Sequence, residues 1–303
     1  MALTLFTNSA SMSSNNAMNK SIASMTTAMQ RLGTGKRINS AADDAAGLQI
    51  ATRLQAQTNG MGVAHDNIEK ATSMLQTAEG AFDEVNNILY RMKDLATQAA
   101  DDTNSADDRT AINQEFGELN AELANIMGNT SYGTEKLLIS LSASASGGGS
   151  TGASGKSVGK AAGVSGKLAG KLQFQIGAST DETLKVDFSE NMKAVGEKLG
   201  SLQTIKMDSA EAGNAAIDTL NGAIKEVGSM RSSLGANINR LGHTKANLAN
   251  MKDNTNVSLG IIRDANYATE ATSMMRQQML SQSSQSMLKQ ANGMSQMVLG
   301  MLG

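Results

Sequence analysis

The sequence predicts a mainly α protein: a long antiparallel helical coiled-coil bundle formed by the N- and C-terminal segments, with a small Gly/Ser-rich, partly β insert between them. Three observations carry that prediction. Apolar residues recur in alternating steps of three and four through both halves, which is the spacing of a helix–helix seam. The 303 residues include no proline, where ordinary usage would supply about 15, so no internal residue denies a long helix its amide donor. Residues 141–170 hold nine glycines in thirty positions, and they separate two stretches of matching helical character.

The elements follow in order. Residues 1–14 are polar, and they are expected to be irregular in the free chain. From Met18 a seam begins, through Ile22, Met25, Met29 and Leu32. Gly33 and Gly35 interrupt it with a bend. Ser40 and Asp43 have the S-x-x-D spacing of a capping box, with Asp44 adding charge to the first turn of a new helix. Residues 64–99 carry Ile68, Leu75, Phe82 and Leu89 at strict sevens, with Val85, Met92 and Ala96 between them; a sustained seven implies left-handed supercoiling. Ser105 and Asp108 cap a helix over 106–127, with Ile112, Phe116, Leu119, Leu123 and Ile126 on one face and Gly128 as the C-cap.

The Gly/Ser-rich stretch buries little and is costly to order. Alternation at Leu172, Phe174 and Ile176, and again at Leu184, Val186 and Phe188, predicts two strands of a hairpin. The expectation is a small, poorly cored insert over roughly 140–200. Asp208 and Glu211 then open a helix over 208–251, with the seam Ile217, Leu220, Ile224, Val227, Arg231, Leu234, Ile238, Leu241, Lys245 and Leu248. A helix so long cannot bury its own stripe, and residues 64–127 offer partners. Arg231 and Lys245 are expected to snorkel or to meet the acidic stretch opposite. The last segment, 268–303, repeats the pattern with Leu280, Ser284, Met287, Ala291, Met294, Val298 and Met301. Met-rich stripes at the two ends predict that the ends pair, and exposed apolar surface of this kind marks association.

Composition excludes several functions. With no cysteine there are no disulfides, thiolate metal sites or cysteine nucleophiles. Net charge is −2, unevenly spread: residues 61–140 hold fourteen acidic against five basic residues. That block opposes nucleic-acid binding, which needs a basic stripe. The three Tyr, five Phe and absent Trp leave little to stack bases. No run of 18 apolar residues could span a membrane. The first positive charge is Lys20 and Leu3–Phe6 is too short for a signal-peptide core, so the expectation is a cytoplasmic chain or one exported by a route that reads an uncleaved N-terminus.

No catalytic constellation stands out. The two histidines, His65 and His243, are far apart in sequence and lie in no metal-binding motif. The GKS at 155–157 lacks the P-loop's leading glycine, because Ser150 stands there, and no hydrophobic strand precedes it. Asp43 and Asp44 are better read as charge at a helix start than as cation ligands. The functional content lies in surfaces, and no cofactor or metal is implied.

Three long segments identify the family. RLGTGKRINSAADDAAGLQIATRLQAQTNG at 31–60, QTAEGAFDEVNNILYRMKDLATQAA at 76–100 and RDANYATEATSMMRQQML at 263–280 resemble bacterial flagellins in the same order. The likeness covers about 1–140 and 205–303. The Met-rich start and short middle resemble lateral-type flagellins. The terminus NGMSQMVLGMLG departs from relatives that carry a proline and end in a basic residue. The resemblance implies export of the unfolded chain through the flagellar secretion system, then polymerisation under a filament cap. It implies an inner-core coiled coil from 1–40 with 260–303, an outer tube from 41–140 with 205–259, and an outward, variable insert over 141–204. Inner-core association then falls to Met18, Ile22, Met25, Met29, Leu32, Leu280, Met287, Met294, Val298 and Met301. Outer-tube packing falls to Leu75, Phe82, Leu89, Phe116, Leu220, Ile224, Leu234 and Ile238. The implied partners are other copies of the chain, cap and hook-associated proteins, an export chaperone, and a host Toll-like receptor reading Arg91, Leu95 and Glu115. By spacing, Arg91 and Leu95 share a helix face, and the return of the chain after residue 99 is expected to bring Glu115 level with Arg91. The alternative is a hook–filament junction protein, which shares the terminal segments; DANYATE at 264–270 weighs against it.

Overall fold

A computed structural model describes residues 8–139 and 166–302, with side chains up to residue 294. Helices dominate: α1 (Ser9–Thr34), α2 (Ala45–Ala99), α3 (Ala106–Asn129), α4 (Ser189–Leu202), α5 (Ala210–Arg263) and α6 (Tyr267–Leu302). Two short antiparallel strand pairs accompany them, β1 (Ser131–Tyr132) with β2 (Glu135–Lys136), and β3 (Lys171–Gln175) with β4 (Thr183–Asp187). The chain forms two compact units, one from residues up to 59 together with those from 251, the other from 60–250.

The second unit is built on the seam between α2 and α5. On α2 the buried positions run Ala64, Ile68, Ala71, Leu75, Ala78, Phe82, Val85, Leu89, Met92, Ala96 and Ala99, in unbroken steps of four and three. The four residues predicted at sevens are all solvent-free. Each Leu, Phe or Met buried there is worth about 1.5–3 kcal/mol. On α5 the expected row is half right. Leu220, Val227, Leu234, Leu241 and Leu248 are buried, but their partners in the seam are Ala216, Ala223, Met230 and Asn237. Ile217, Ile224 and Ile238 sit one residue further round and are only partly buried against the same core. Small side chains at the centre let the two backbones approach, and the branched ones close the flank.

The seam's expected departures, Arg231 and Lys245, are flank residues too, and they find the acidic stretch. The Arg231 guanidinium holds Glu79 and Asp83, each at 2.9 Å, and Lys245 Nζ lies 2.7 Å from Glu69 Oε1. The hydrogen bond from Lys245 keeps the Glu69 carboxyl below the usual carboxylate range. Half-exposed pairs of this kind add little stability; their effect is on alignment, since only one antiparallel register satisfies all three.

α3 returns beside α2. Its start is the predicted capping box: Ser105 Oγ accepts the Asp108 amide at 3.2 Å, and Asp108 Oδ2 accepts the Ser105 amide at 3.0 Å. The Ser105 hydroxyl also donates to Asp108 and, with that amide, pulls the Asp108 carboxyl below its ordinary value. The C-terminus differs from expectation. Gly128 stays helical, and the helix ends at Thr130, whose amide donates to Ile126 O. The following residues 131–136 form a tight hairpin, with Gly133 at φ +64°, a conformation that favours glycine.

The insert is the main correction. Residues 140–165 lie outside the described residues, with the GKS motif among them. The part from 166 is well cored. β3 and β4 pair as predicted, Leu172 opposite Val186 and Phe174 opposite Leu184. The unpredicted α4 then buries Met192, Val195, Leu199 and Leu202. These side chains join Leu137, Leu138, Leu168, Phe188 and Met207 in one core with α2, α3 and α5. The amphipathic spacing of α4 was visible in the sequence, but the neighbouring glycines masked it. α5 is capped by Ser209, whose hydroxyl accepts the Ala212 amide at 3.2 Å, and not by Asp208, which instead accepts from Asn113.

The seam also explains Gly213. A Cβ there would fall 2.8 Å from the Ala100 backbone nitrogen. Alanine is the better helix former by about 1 kcal/mol, yet a clash with backbone costs about 1–3 kcal/mol. Gly213→Ala is therefore expected to lower the chemical-denaturation midpoint of the chain. A raised midpoint would show that α2 and α5 approach less closely than described.

Candidate assembly surface

In the first unit α1 and α6 pair along their length, as the two terminal stripes predict. α1 begins at Ser9, within the polar stretch 1–14 expected to be irregular, because Asn8 caps it by accepting the Ser11 amide. Hydrogen bonds fix the antiparallel register at both ends. Asn8 Nδ2 donates to Ala291 O and Ser11 Oγ to Asn292 Oδ1, each at 3.0 Å. At the other end Arg31 Nη1 donates to Glu270 Oε1 at 3.2 Å. Beyond Glu270 the two connections cross-pair: the Arg37 amide donates to Arg263 O at 2.7 Å and the Ala265 amide to Gly35 O at 2.9 Å. The predicted box at Ser40 is a turn, closed by Asp43 accepting the Asn39 and Ser40 amides. The helix cap is Asp44, which accepts the Gly47 amide at 2.9 Å.

The residues that face inward in the pair, of which Ser21 and Ala28 are buried and the rest half-buried, are not all those predicted. On α1 the inward row is Ser14, Met18, Ser21, Met25, Ala28 and Leu32; on α6 it is Met274, Gln277, Ser281, Ser284, Leu288 and Ala291. Met18, Met25 and Leu32 are thus in the seam. Ile22 and Met29 are exposed beside it, and so are Leu280, Met287 and Met294 on α6. Serine or alanine takes half of the inner positions and lets the helices approach closely there, while Ile22, Met29, Leu280, Met287 and Met294 are displaced outward. Val298 and Met301 have no described side chains. Sequence reasoning missed the exposed Met12, Met275 and Met279, and the exposed Val257 and Ile261 on α5. The signal for the last two was available: they are apolar, four apart and off the seam.

The helical packing residues of the second unit divide as described. Leu75, Phe82, Leu89, Leu220 and Leu234 are solvent-free and Phe116 nearly so, while Ile224 and Ile238 flank. Arg91 and Glu115 do meet, Nε at 3.0 Å and Nη2 at 2.5 Å from Glu115 Oε1, and both are exposed. Leu95 does not join them on the surface. It is 2% exposed, because α2 buries a further row, Ile88 and Leu95, between its seam and the side where Arg91 reaches α3. Of the three residues, Arg91 and Glu115 are the two that lie on the surface.

Among the described residues no group of three or more His, Asp or Glu is placed to hold a metal. His65 lies 4.0 Å from Glu69 on the same helix, and His243 is exposed on α5. No helix of the described residues is long and apolar enough to cross a membrane. The distinctive chemistry of the described surface is apolar.

Known proteins bear out the resemblance. The family described as bacterial flagellin N-terminal helical region matches residues 5–142, and the flagellin C-terminal helical region matches 217–302. A flagellin of Halalkalibacterium halodurans is 36% identical over 91% of this chain and 90% of its own. Flagellin B of Vibrio cholerae is 34% identical over the whole of both chains. A solved chain described as a flagellar hook-associated protein from Vibrio parahaemolyticus has a TM-score of 0.52, covering 73% of this chain and 99% of its own. At 15% identity it shares the fold alone, so the junction-protein alternative gains nothing over the filament reading. The unmatched stretch, 143–216, holds β3, β4 and α4. With both terminal regions matched in order and whole-length relatives above 30% identity, the chain belongs to the bacterial flagellin family.

Proposed function

We propose that this chain enters the flagellar filament through the large apolar side chains that α1 and α6 leave outside their own seam. The chain is a structural subunit of that filament, working outside the cell as one of many copies in a motility organelle. The observation that supports the assembly route is the exposure of Ile22, Met29, Leu280, Met287 and Met294 beside a seam in which half the positions are serine or alanine. A lone two-helix pair with so little buried is marginal in water; covering its flanks with neighbouring copies would stabilise both the pair and the lattice. The same weakness suits export of an unfolded chain, and with no cysteine no cross-link can trap it. A secretion chaperone would cover this stripe before export, and cap and hook-associated proteins would meet it at the filament's ends.

Two measurements test these points. Deleting 291–303 is expected to abolish polymerisation seen by electron microscopy while leaving the helical signal of α2, α3 and α5; normal filaments from the truncated chain would refute the route. Recognition by a Toll-like receptor would centre on Arg91, an exposed guanidinium suited to bidentate contact and held by Glu115 until a partner replaces it. Arg91→Ala is expected to weaken receptor binding by about 2 kcal/mol or more, as for an interface hot spot. Equal binding of both chains, measured on the free subunit, would remove Arg91 from the surface.

A further inference from the structure

The methionines divide between the two units by exposure. All seven in the second unit, Met61, Met74, Met92, Met127, Met192, Met207 and Met230, are buried. Among the described side chains the exposed methionines all lie in the first unit: Met12, Met29, Met251, Met275, Met279, Met287 and Met294, from 40% to 64% exposed. Leucine would cover as much apolar area at these positions and has better-defined rotamers. What distinguishes methionine is its thioether, the one aliphatic group here that accepts an oxygen atom.

We infer that Met275, Met279, Met287 and Met294 along α6, with Met29 on α1, form a set of oxidation-sensitive modification sites that decides whether the free chain can join a polymer. The inference rests on the assembly route above and deepens it. The modifying agent is a two-electron oxidant of the peroxide class. The sulfur lone pair attacks the peroxide, an S–O bond forms as the O–O bond breaks, and water leaves. Methionine is oxidised to its sulfoxide and the peroxide is reduced. The product is polar and strongly hydrogen-bond accepting. Buried between apolar neighbours, its oxygen would lose water without gaining a donor. The core is spared, since its methionines are closed to solvent. Oxidation therefore acts on association and leaves the fold of the second unit intact.

The test treats the free chain with hydrogen peroxide, maps sulfoxides by peptide mass spectrometry and follows polymerisation by light scattering. Sulfoxides are expected at the exposed methionines before the buried seven, with far-ultraviolet circular dichroism unchanged and polymerisation at least about tenfold slower. Treatment with methionine sulfoxide reductases is expected to restore the rate. The chain with Met29, Met275, Met279, Met287 and Met294 all changed to Leu is expected to polymerise and to resist peroxide. Unchanged polymerisation of the oxidised chain would overturn the inference. So would a rate that stays low after the sulfoxides have been reduced. If the leucine chain does not polymerise, the reductase experiment decides alone. The assembly route has its own readout: the same methionines should be protected from peroxide in finished polymer. Equal reactivity in chain and polymer would remove them from the contact and overturn the route. Protection together with unimpaired assembly of the oxidised chain would overturn only the inference about oxidation.

Discussion

Everything in this chain depends on one constraint: a helix of 54 or 55 residues cannot bury its own apolar stripe. α2 and α5 meet that constraint with each other. Their inner positions alternate large and small side chains, so the backbones come close enough at Gly213 and Ala100 to exclude even a Cβ. Charge pairs on the flank select the register. α3 and α4, with the strand pair β3–β4, extend the same core, so the second unit closes its apolar surface within one chain.

The first unit follows the same geometry with poorer material. Half of its inner row is serine or alanine, which permits approach but contributes little transfer free energy. The register is specified by hydrogen bonds at the two ends, while Ile22, Met29, Leu280, Met287 and Met294 lie outside. One unit is finished internally; the other is left open to neighbours. A filament subunit needs that division, because a closed surface at the termini would give a stable monomer and no polymer.

Much of this was legible in the sequence, and the failures have a common physical cause. Periodicity located α2, α3, α5, α6 and the β3–β4 pair, and the capping box at Ser105 is as read. What a single seven-residue count does not give is which of two adjacent residues faces in. At Ala216–Ile217, Ala223–Ile224, Ser21–Ile22 and Ala28–Met29 the smaller member is inside, since close approach outweighs the extra area of the larger one. Reading the larger residue as the core is a sound default for globular helices and fails for thin seams. Leu95 failed for another reason: α2 has two buried sides, and one helix face was considered. α4 was lost beside a glycine-rich stretch whose composition dominated the reading.

The central claim is that the side chains flanking the α1–α6 seam are contacts between subunits. Electron cryo-microscopy of the assembled polymer, at a resolution that places side chains, tests it most directly. The account predicts Leu280 and Met287 packed against a neighbouring copy, with Ser281 and Ser284 still facing α1 of their own chain. Leu280 and Met287 lying in solvent in the polymer, with the lattice held by other surfaces, would contradict it.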